Sequence, residues 1–182
     1  MNETLKVIRN RYSCRNFTGE ALEQDKIDAI ALAGIQSPSA MNMQPWELVV
    51  IQNKALLDEL DVTVMEMLFR KEDKTIYNRI VGRGGKIFYN APCMYVIAKK
   101  AGTDLDCGIV SENIALAASS LGLGNVICGL AGLVFATENG KMYKEKLIPE
   151  GYEFGVAVLV GYAANDQGTP HEMDLKKIQY IK

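Results

Sequence analysis

A single domain mixing helices and strands around one buried helix is predicted by three features of the 182-residue sequence. Residues 106–121 (DCGIVSENIALAASSL) carry apolar side chains most of the way round a 3.6-residue period instead of along one stripe, the pattern of a helix packed from several sides. Asp104 or Asp106 is positioned to cap its start, and Gly122-Leu123-Gly124 ends it with residues that accept a left-handed conformation before the β-branched segment 125–129. Near the C-terminus, FGVAVLV at 154–160 is almost wholly apolar and reads as a central strand buried on both faces.

The hydrophobic content of 48% is ample for one core, and with no repeats or low-complexity linkers, residues 1–182 read as one domain. A net charge of −2 gives no reason to expect nucleic acid or an anionic membrane as partner. Cys14, Cys93, Cys107 and Cys128 form no CxxC pair, and the one histidine, His171, has no ligand-spaced neighbour, so no metal site is expected and the thiols read as reduced, in a cytoplasmic protein. The N-terminus is polar and no apolar stretch approaches ~18 residues, so neither a signal peptide nor a membrane span is expected.

In chain order, 2–10 reads as a short helix with Glu3 early and Arg9 late, in keeping with the helix dipole, and 22–36 as a second helix stopped by Ser37-Pro38. Residues 47–52 (ELVVIQ) and 93–98 (CMYVIA) read as strands, and 54–68 as a helix through Leu56, Leu57, Leu60, Val64 and Leu68. The charged stretch 69–78 reads as exposed. Residues 81–85 (VGRGG) match neither GxxxxGK[ST] nor GxGxxG, so they read as a flexible hinge and not as a phosphate loop. A glycine-rich connection is expected to lead into a helix over 137–147, N-capped by Thr137 and closed by Pro149. The tail 174–182 places Leu175, Ile178, Tyr180 and Ile181 among lysines, more apolar than a free end, and is expected to dock on another surface.

Two segments carry candidate binding chemistry. Arg9, Arg11 and Arg15 crowd into a non-periodic stretch, which read alone is either a solvated basic surface or an anion site. SPSAMNMQPW at 37–46 holds two prolines with Ser39, Asn42 and Gln44, which either grip a polar ligand or bond their own backbone around Trp46. His171 and the cysteines lack a base or triad partner in any motif, and no catalytic side chain is assigned.

Taken in order, RYSCRNF, SPSAMNMQPWELVV, NAPCMYVIA, DCGIVSENIALAASSLGLGNVICG and PEGYEFGVAVLVGY resemble the flavin-dependent nitroreductase family over nearly the whole chain. The resemblance implies an α+β sandwich, a mixed, mainly antiparallel sheet flanked by helices, in an intertwined homodimer with two FMN sites at its interface. The tail 174–182 would cross to the partner subunit. Arg11, Tyr12 and Ser13 would hold the FMN phosphate and ribityl chain, with Arg15 at the pyrimidine end of the ring. Pro38, Ser39, Asn42 and Gln44 would approach from the partner, and Ile127, Cys128 and Gly129 would supply backbone near the ring. Lys176 or Lys177 on the phosphate, and Lys86 near the ring, are further candidates. The implied activity is that of an FMN oxidoreductase passing hydride from NADH or NADPH to an electron-poor acceptor such as a nitroaromatic or quinone, by a ping-pong mechanism. Dehalogenation, enone reduction, flavin breakdown and a low-turnover flavin-binding role are the alternatives within the same fold.

Overall fold

The computed structural model describes residues 1–165 and 168–182. Its helices are α1 (Glu3–Asn10), α2 (Gln24–Ile35), α3 (Lys54–Arg70), α4 (Thr75–Val81), α5 (Asp104–Ser120) and α6 (Gly140–Leu147). Its strands are β1 (Trp46–Ile51), β2 (Cys93–Lys99), β3 (Gly124–Cys128) and β4 (Glu153–Gly161), and short 3-10 segments cover Ala40–Asn42, Gly129–Ala136 and Leu175–Lys177.

The strands form one sheet in the order β1-β2-β4-β3, and each neighbouring pair is antiparallel. A parallel bridge between Ser13 and Asn125 adds the mixed component. β2 and β4 lie in the middle and are apolar at nearly every position because helices cover both faces. On one face Ile27 and Ile30 of α2 and Val110, Ile114 and Ala118 of α5 pack with Tyr95, Ile97, Val158 and Val160. The Tyr95 hydroxyl, buried in that layer, donates to the Ile27 carbonyl at 3.0 Å. On the other face Leu57, Leu60 and Val64 of α3 and Tyr143 and Leu147 of α6 pack with Met94, Val96, Ala157 and Leu159. This is the expected α+β sandwich, with the 154–160 strand central.

The β2–β4 register slips between Ile97 and Ala98, which pair with Val156 and Phe154 and leave Gly155 as the extra residue of a bulge. A Cβ on Gly155 would come within 2.8 Å of the Ile97 carbonyl oxygen and closer still to the Cys107 sulfur of α5. Gly155→Val is therefore expected to cost at least about 1–3 kcal/mol, the range for overpacking. A urea midpoint equal to wild type would show that the sheet and α5 separate without penalty.

Local details depart from the sequence reading. Neither Asp104 nor Asp106 caps α5; Thr103 occupies that position, its hydroxyl donating back to the Lys100 carbonyl at 2.8 Å instead of capping the helix, and both acids lie in the first turn, where they favour the helix dipole. Asp104 instead pairs with Lys99 at 3.3 Å, and Lys99 also holds Glu153. α5 is also less enclosed than its composition suggests: Leu105, Gly108 and Glu112 are exposed and Ile109 and Leu116 only half-buried, a face turned away from the sheet. The expected helix over 137–147 begins later, at Gly140, because Thr137 closes the preceding 3-10 segment, donating its hydroxyl to the Val134 carbonyl at 2.8 Å. The charged stretch 69–78, read as exposed with no element assigned to it, contains the end of α3 and the first residues of α4. The hinge at 81–85 is a helix-ending turn in which Arg83 N–H donates to Ile80 O at 2.9 Å and Gly85 N–H to the same oxygen at 3.0 Å.

Candidate functional site

The segment after α1 is laid against the sheet by its alternation. Cys14 and Phe17 are buried, Arg15 and Asn16 are exposed, and Arg11 and Ser13 are half-buried. Cys14 N–H donates to Asn125 O at 2.8 Å, Phe17 N–H to Tyr89 O at 3.1 Å and Thr18 N–H to Tyr162 O at 3.0 Å, so the backbone carrying the basic cluster is fixed from three sides. Arg11, Tyr12, Ser13, Arg15 and Asn16 line a cradle of about 460 Å³ together with Asn165, Thr169 and His171. Among the described residues no carboxylate lines it. Arg9 is not part of this lining.

A second cavity of about 310 Å³ opens beside the first at the end of β3, lined by Val126, Ile127, Cys128, Gly129 and Leu130 and faced by Tyr89. Arg15 lines this cleft as well as the cradle, so the two join at its side chain. Ile127 is the one exposed residue of β3, 38% accessible between buried neighbours, so the strand turns a single side chain to the open side. Tyr89 and Asn90 hold left-handed backbone angles, φ 52° and 66°, beside the cleft; strain of this kind is costly for non-glycine residues and marks a constrained position. Arg11, Tyr12, Ser13 and Arg15 thus come together, and Ile127, Cys128 and Gly129 lie next to them.

Pro38, Ser39, Asn42 and Gln44 line neither the cradle nor the cleft. They belong to an exposed loop between α2 and β1 that is stiffened from within. Gln44 N–H donates to Ser39 Oγ at 2.9 Å, and Gln44 Nε2 donates to Asn42 Oδ1 at 3.1 Å. Met41, Asn42 and Gln44 all have positive φ, between 46° and 55°. At the loop's base, Asn113 Nδ2 of α5 donates to the buried Ser37 hydroxyl at 2.9 Å. Of the two readings its sequence allows, the single chain shows the loop bonding to itself, with three residues held in left-handed backbone.

Of the remaining candidates, Lys86 faces a different cavity, between α3 and α4, and its ammonium pairs with Asp58 at 3.0 Å. Lys176 and Lys177 lie on the exposed tail, outside the lining of the cradle. His171, to which no role was assigned, is the late residue that lines it. Sequence reasoning also missed Arg79 and Arg83, which α4 and its closing turn bring to the cleft. Their spacing of one helical turn was the available signal, hidden because α4 itself went unrecognised. All four thiols are buried, and burial pushes them up: Cys128 to about 11 and Cys93 to about 12, with Cys14 and Cys107 raised as well. They are protonated at neutral pH and unsuited to nucleophilic work.

Asp61 lies in the wall of the α3–α4 cavity, and its Oδ1 accepts the Ile87 and Phe88 N–H groups at 2.6 and 3.2 Å. Burial outweighs those donors and raises its pKa from 3.8 to about 6. The folded chain therefore keeps this proton longer than the unfolded chain; the associated stability is present below the unfolded value and lost as pH rises from about 4 to 6. Asp61→Asn keeps the acceptor oxygen without the charge, so its urea stability relative to wild type should rise by up to about 3 kcal/mol across that interval. A difference independent of pH would remove Asp61 as the titrating group.

The Nitroreductase family profile matches residues 8–162 of the chain, a span containing the cleft and the 11–16 side of the cradle. The chain belongs to the nitroreductase family. A nitroreductase from Desulfitobacterium hafniense DCB-2, solved with bound FMN, shares 45% identity over 100% of both chains with a TM-score of 0.95. A Bacteroides fragilis NCTC 9343 nitroreductase, also solved with bound FMN, superposes with a TM-score of 0.87 over 100% of both chains at 24% identity, a likeness of fold. A relative from Archaeoglobus fulgidus, named as an NADH dehydrogenase/NAD(P)H nitroreductase, is 29% identical over 92% of this chain and 89% of its own. Among the described residues of this nitroreductase-family chain, no helix is long and apolar enough to cross a membrane.

Proposed function

We propose that the chain is an FMN-dependent oxidoreductase using NADH or NADPH, and the observation that carries this reading is Arg15 standing in both cavities. A basic cradle without a described carboxylate suits a phosphate, and it leads directly into a cleft of a size and composition to take a planar ring against β3. The FMN bound to the D. hafniense relative supports the same assignment. Arg11 would hold the phosphate, with Ser13 and Tyr12 beside it toward the ribityl chain. FMN held there would supply hydride transfer between a nicotinamide donor and an electron-poor acceptor, in two separate half-reactions. Arg15 places a cation at the pyrimidine edge, where it favours the negative charge gained on reduction. The backbone of Ile127–Gly129 would border the ring, with the exposed Ile127 side chain beside it. No protein nucleophile is required, in keeping with the protonated thiols.

The site is completed by a second subunit. Pro38, Ser39, Asn42 and Gln44 lie away from the cradle of their own chain, and their strained, preset loop reaches the cofactor held by the partner. The tail 174–182 covers that partner, for in a lone subunit Leu175, Ile178, Tyr180 and Ile181 are exposed, Ile181 at 99%. The four free thiols suit a reducing cytoplasm. The test is anaerobic mixing of the FMN-loaded protein with NADH and with NADPH, followed by nitroaromatic and quinone acceptors. Rapid bleaching by a donor and reoxidation by an acceptor, with donor product released before acceptor binds, is expected. A flavin that no donor bleaches, or released cofactor whose mass is that of FAD, would refute the reading.

A further inference from the structure

Several charged groups around the sheet are neutralised within the fold: Lys99 by Asp104 and Glu153, Lys86 and Lys54 by Asp58, and Arg70 by Glu138. The cleft, like the cradle, is different. Arg15, Arg79 and Arg83 line it with no carboxylate among its lining residues, on a chain whose net charge is negative. Among the described residues none of the three forms an ion pair, and the one hydrogen bond from their guanidiniums is Arg15 Nη1 to Ser13 O at 3.4 Å. Arg79 stands in the last turn of α4, where a cation favours the helix dipole, but the dipole does not explain why Arg83 and Arg15, from other segments, line the same cavity.

These side chains are also well founded. Ile80 is the buried residue of α4 and anchors it to the core, with Ile76 lining the cleft beside it. Arg83 is fixed by the closing turn, in which its own N–H and that of Gly85 converge on Ile80 O, and Gly84 and Gly85 reverse the chain at φ 99° and 75°. Arg15 is shared with the cradle. That leaves Arg79 and Arg83, on the α4 wall, for whatever enters from solvent.

We propose that Arg79 and Arg83 select reactants carrying an anionic oxygen group, a phosphate or a carboxylate, and hold that group at the α4 wall of the cleft. The inference rests on the functional reading above for what shares the cleft, and goes beyond it in naming the charge class of the reactant. Two guanidiniums on one wall of the cleft, from α4 and its closing turn, can match a planar or tetrahedral oxyanion through N–H donors, and an uncharged reactant leaves them solvated without penalty. The group can be the 2′-phosphate of the nicotinamide donor or a carboxylate on the acceptor, and the two are separable by experiment.

The test compares wild type with Arg79→Ala/Arg83→Ala and Arg79→Lys/Arg83→Lys. One arm measures the ratio of kcat/KM for NADPH to that for NADH, and the other the ratio for 4-nitrobenzoate to that for its methyl ester. Loss of both guanidiniums is expected to lower at least one ratio by about tenfold, with partial recovery in the lysine variant and a weaker effect at high salt. The arm that responds identifies the source of the anion. Ratios unchanged in both arms overturn the proposal, and so does loss of FMN from the alanine variant, which would assign these arginines to the cofactor. Calorimetric titration of 4-nitrobenzoate and NADP+ reads the same pairing without turnover. A protein that binds these anions through Arg79 and Arg83 but carries no FMN would refute the flavin reading and leave this one standing; no anion binding in any form of the protein refutes this one.

Discussion

Deletion of residues 174–182 is expected to yield a protein that is monomeric and colourless. The deleted segment holds Leu175, Ile178, Tyr180 and Ile181, all exposed on the single chain, with Asp174 capping the 3-10 turn through a 3.0 Å bond from Lys176 N–H. Burying an aliphatic side chain of this size contributes roughly 1.5–3 kcal/mol. Two tails of three such residues then contribute an amount comparable to the ~4–15 kcal/mol that association costs in lost freedom, so their removal decides whether the dimer persists. The flavin should leave with the dimer, because the 38–44 loop is assigned to the partner's cofactor, and a ligand that binds only the assembled state stabilises that state in turn. Sedimentation velocity recorded at flavin and protein wavelengths reads both quantities together. A truncated protein that remains a flavin-loaded dimer would show that the tail does not hold the subunits together; a full-length monomer that retains FMN would dispose of the shared site.

Arg11→Ala is expected to weaken FMN binding roughly tenfold to a hundredfold, the equivalent of losing a charge-assisted hydrogen bond of about 1.5–3 kcal/mol. The substitution is clean, since the Arg11 guanidinium forms no ion pair among the described residues, and what ties this residue to the fold is its backbone N–H on Val7 O at 2.9 Å. Arg15→Lys makes the contrast. It retains a cation between cradle and cleft but loses the planar fork, so affinity should change little while the flavin reduction potential and the rate of reduction by the donor shift. Titration of FMN into the two apo-variants, with potentiometry on the loaded forms, tests the division of roles. Equal effects of both variants on affinity would place both residues on the phosphate, and unchanged affinity in Arg11→Ala would remove it from the cofactor site.

Which parts of this arrangement could be read beforehand depends on how local their determinants are. The strands at 93–99 and 153–161 were legible because burial on both faces writes a continuous apolar run into the sequence. α3 was legible because 17 residues give its apolar stripe several turns in which to repeat. α4 was not: at seven residues with Ile80 alone buried, its period hardly repeats, and the charged neighbourhood reads as loop. Arg79 and Arg83 went unnoticed with it. Thr137 and Asn139 are both residues that cap helices, and the choice fell to the 3-10 segment before them, whose last turn takes the Thr137 hydroxyl.

By itself the sequence determined the α+β class, the central position of the last strand and the family, and it marked the basic segment 11–15 as a candidate for an anion, because each is carried by residue types within a few positions of one another. The tertiary structure alone decided that Arg15 stands between two cavities and that the β3 exit at 127–129 forms the second of them. It alone placed Lys86 at Asp58 instead of in the cleft, turned the 38–44 loop away from its own cradle, and brought Arg79 and Arg83 opposite β3. These are meetings of segments far apart in the chain, fixed by how helices pack across a twisted sheet and by which buried polar groups find partners, and no local pattern encodes them.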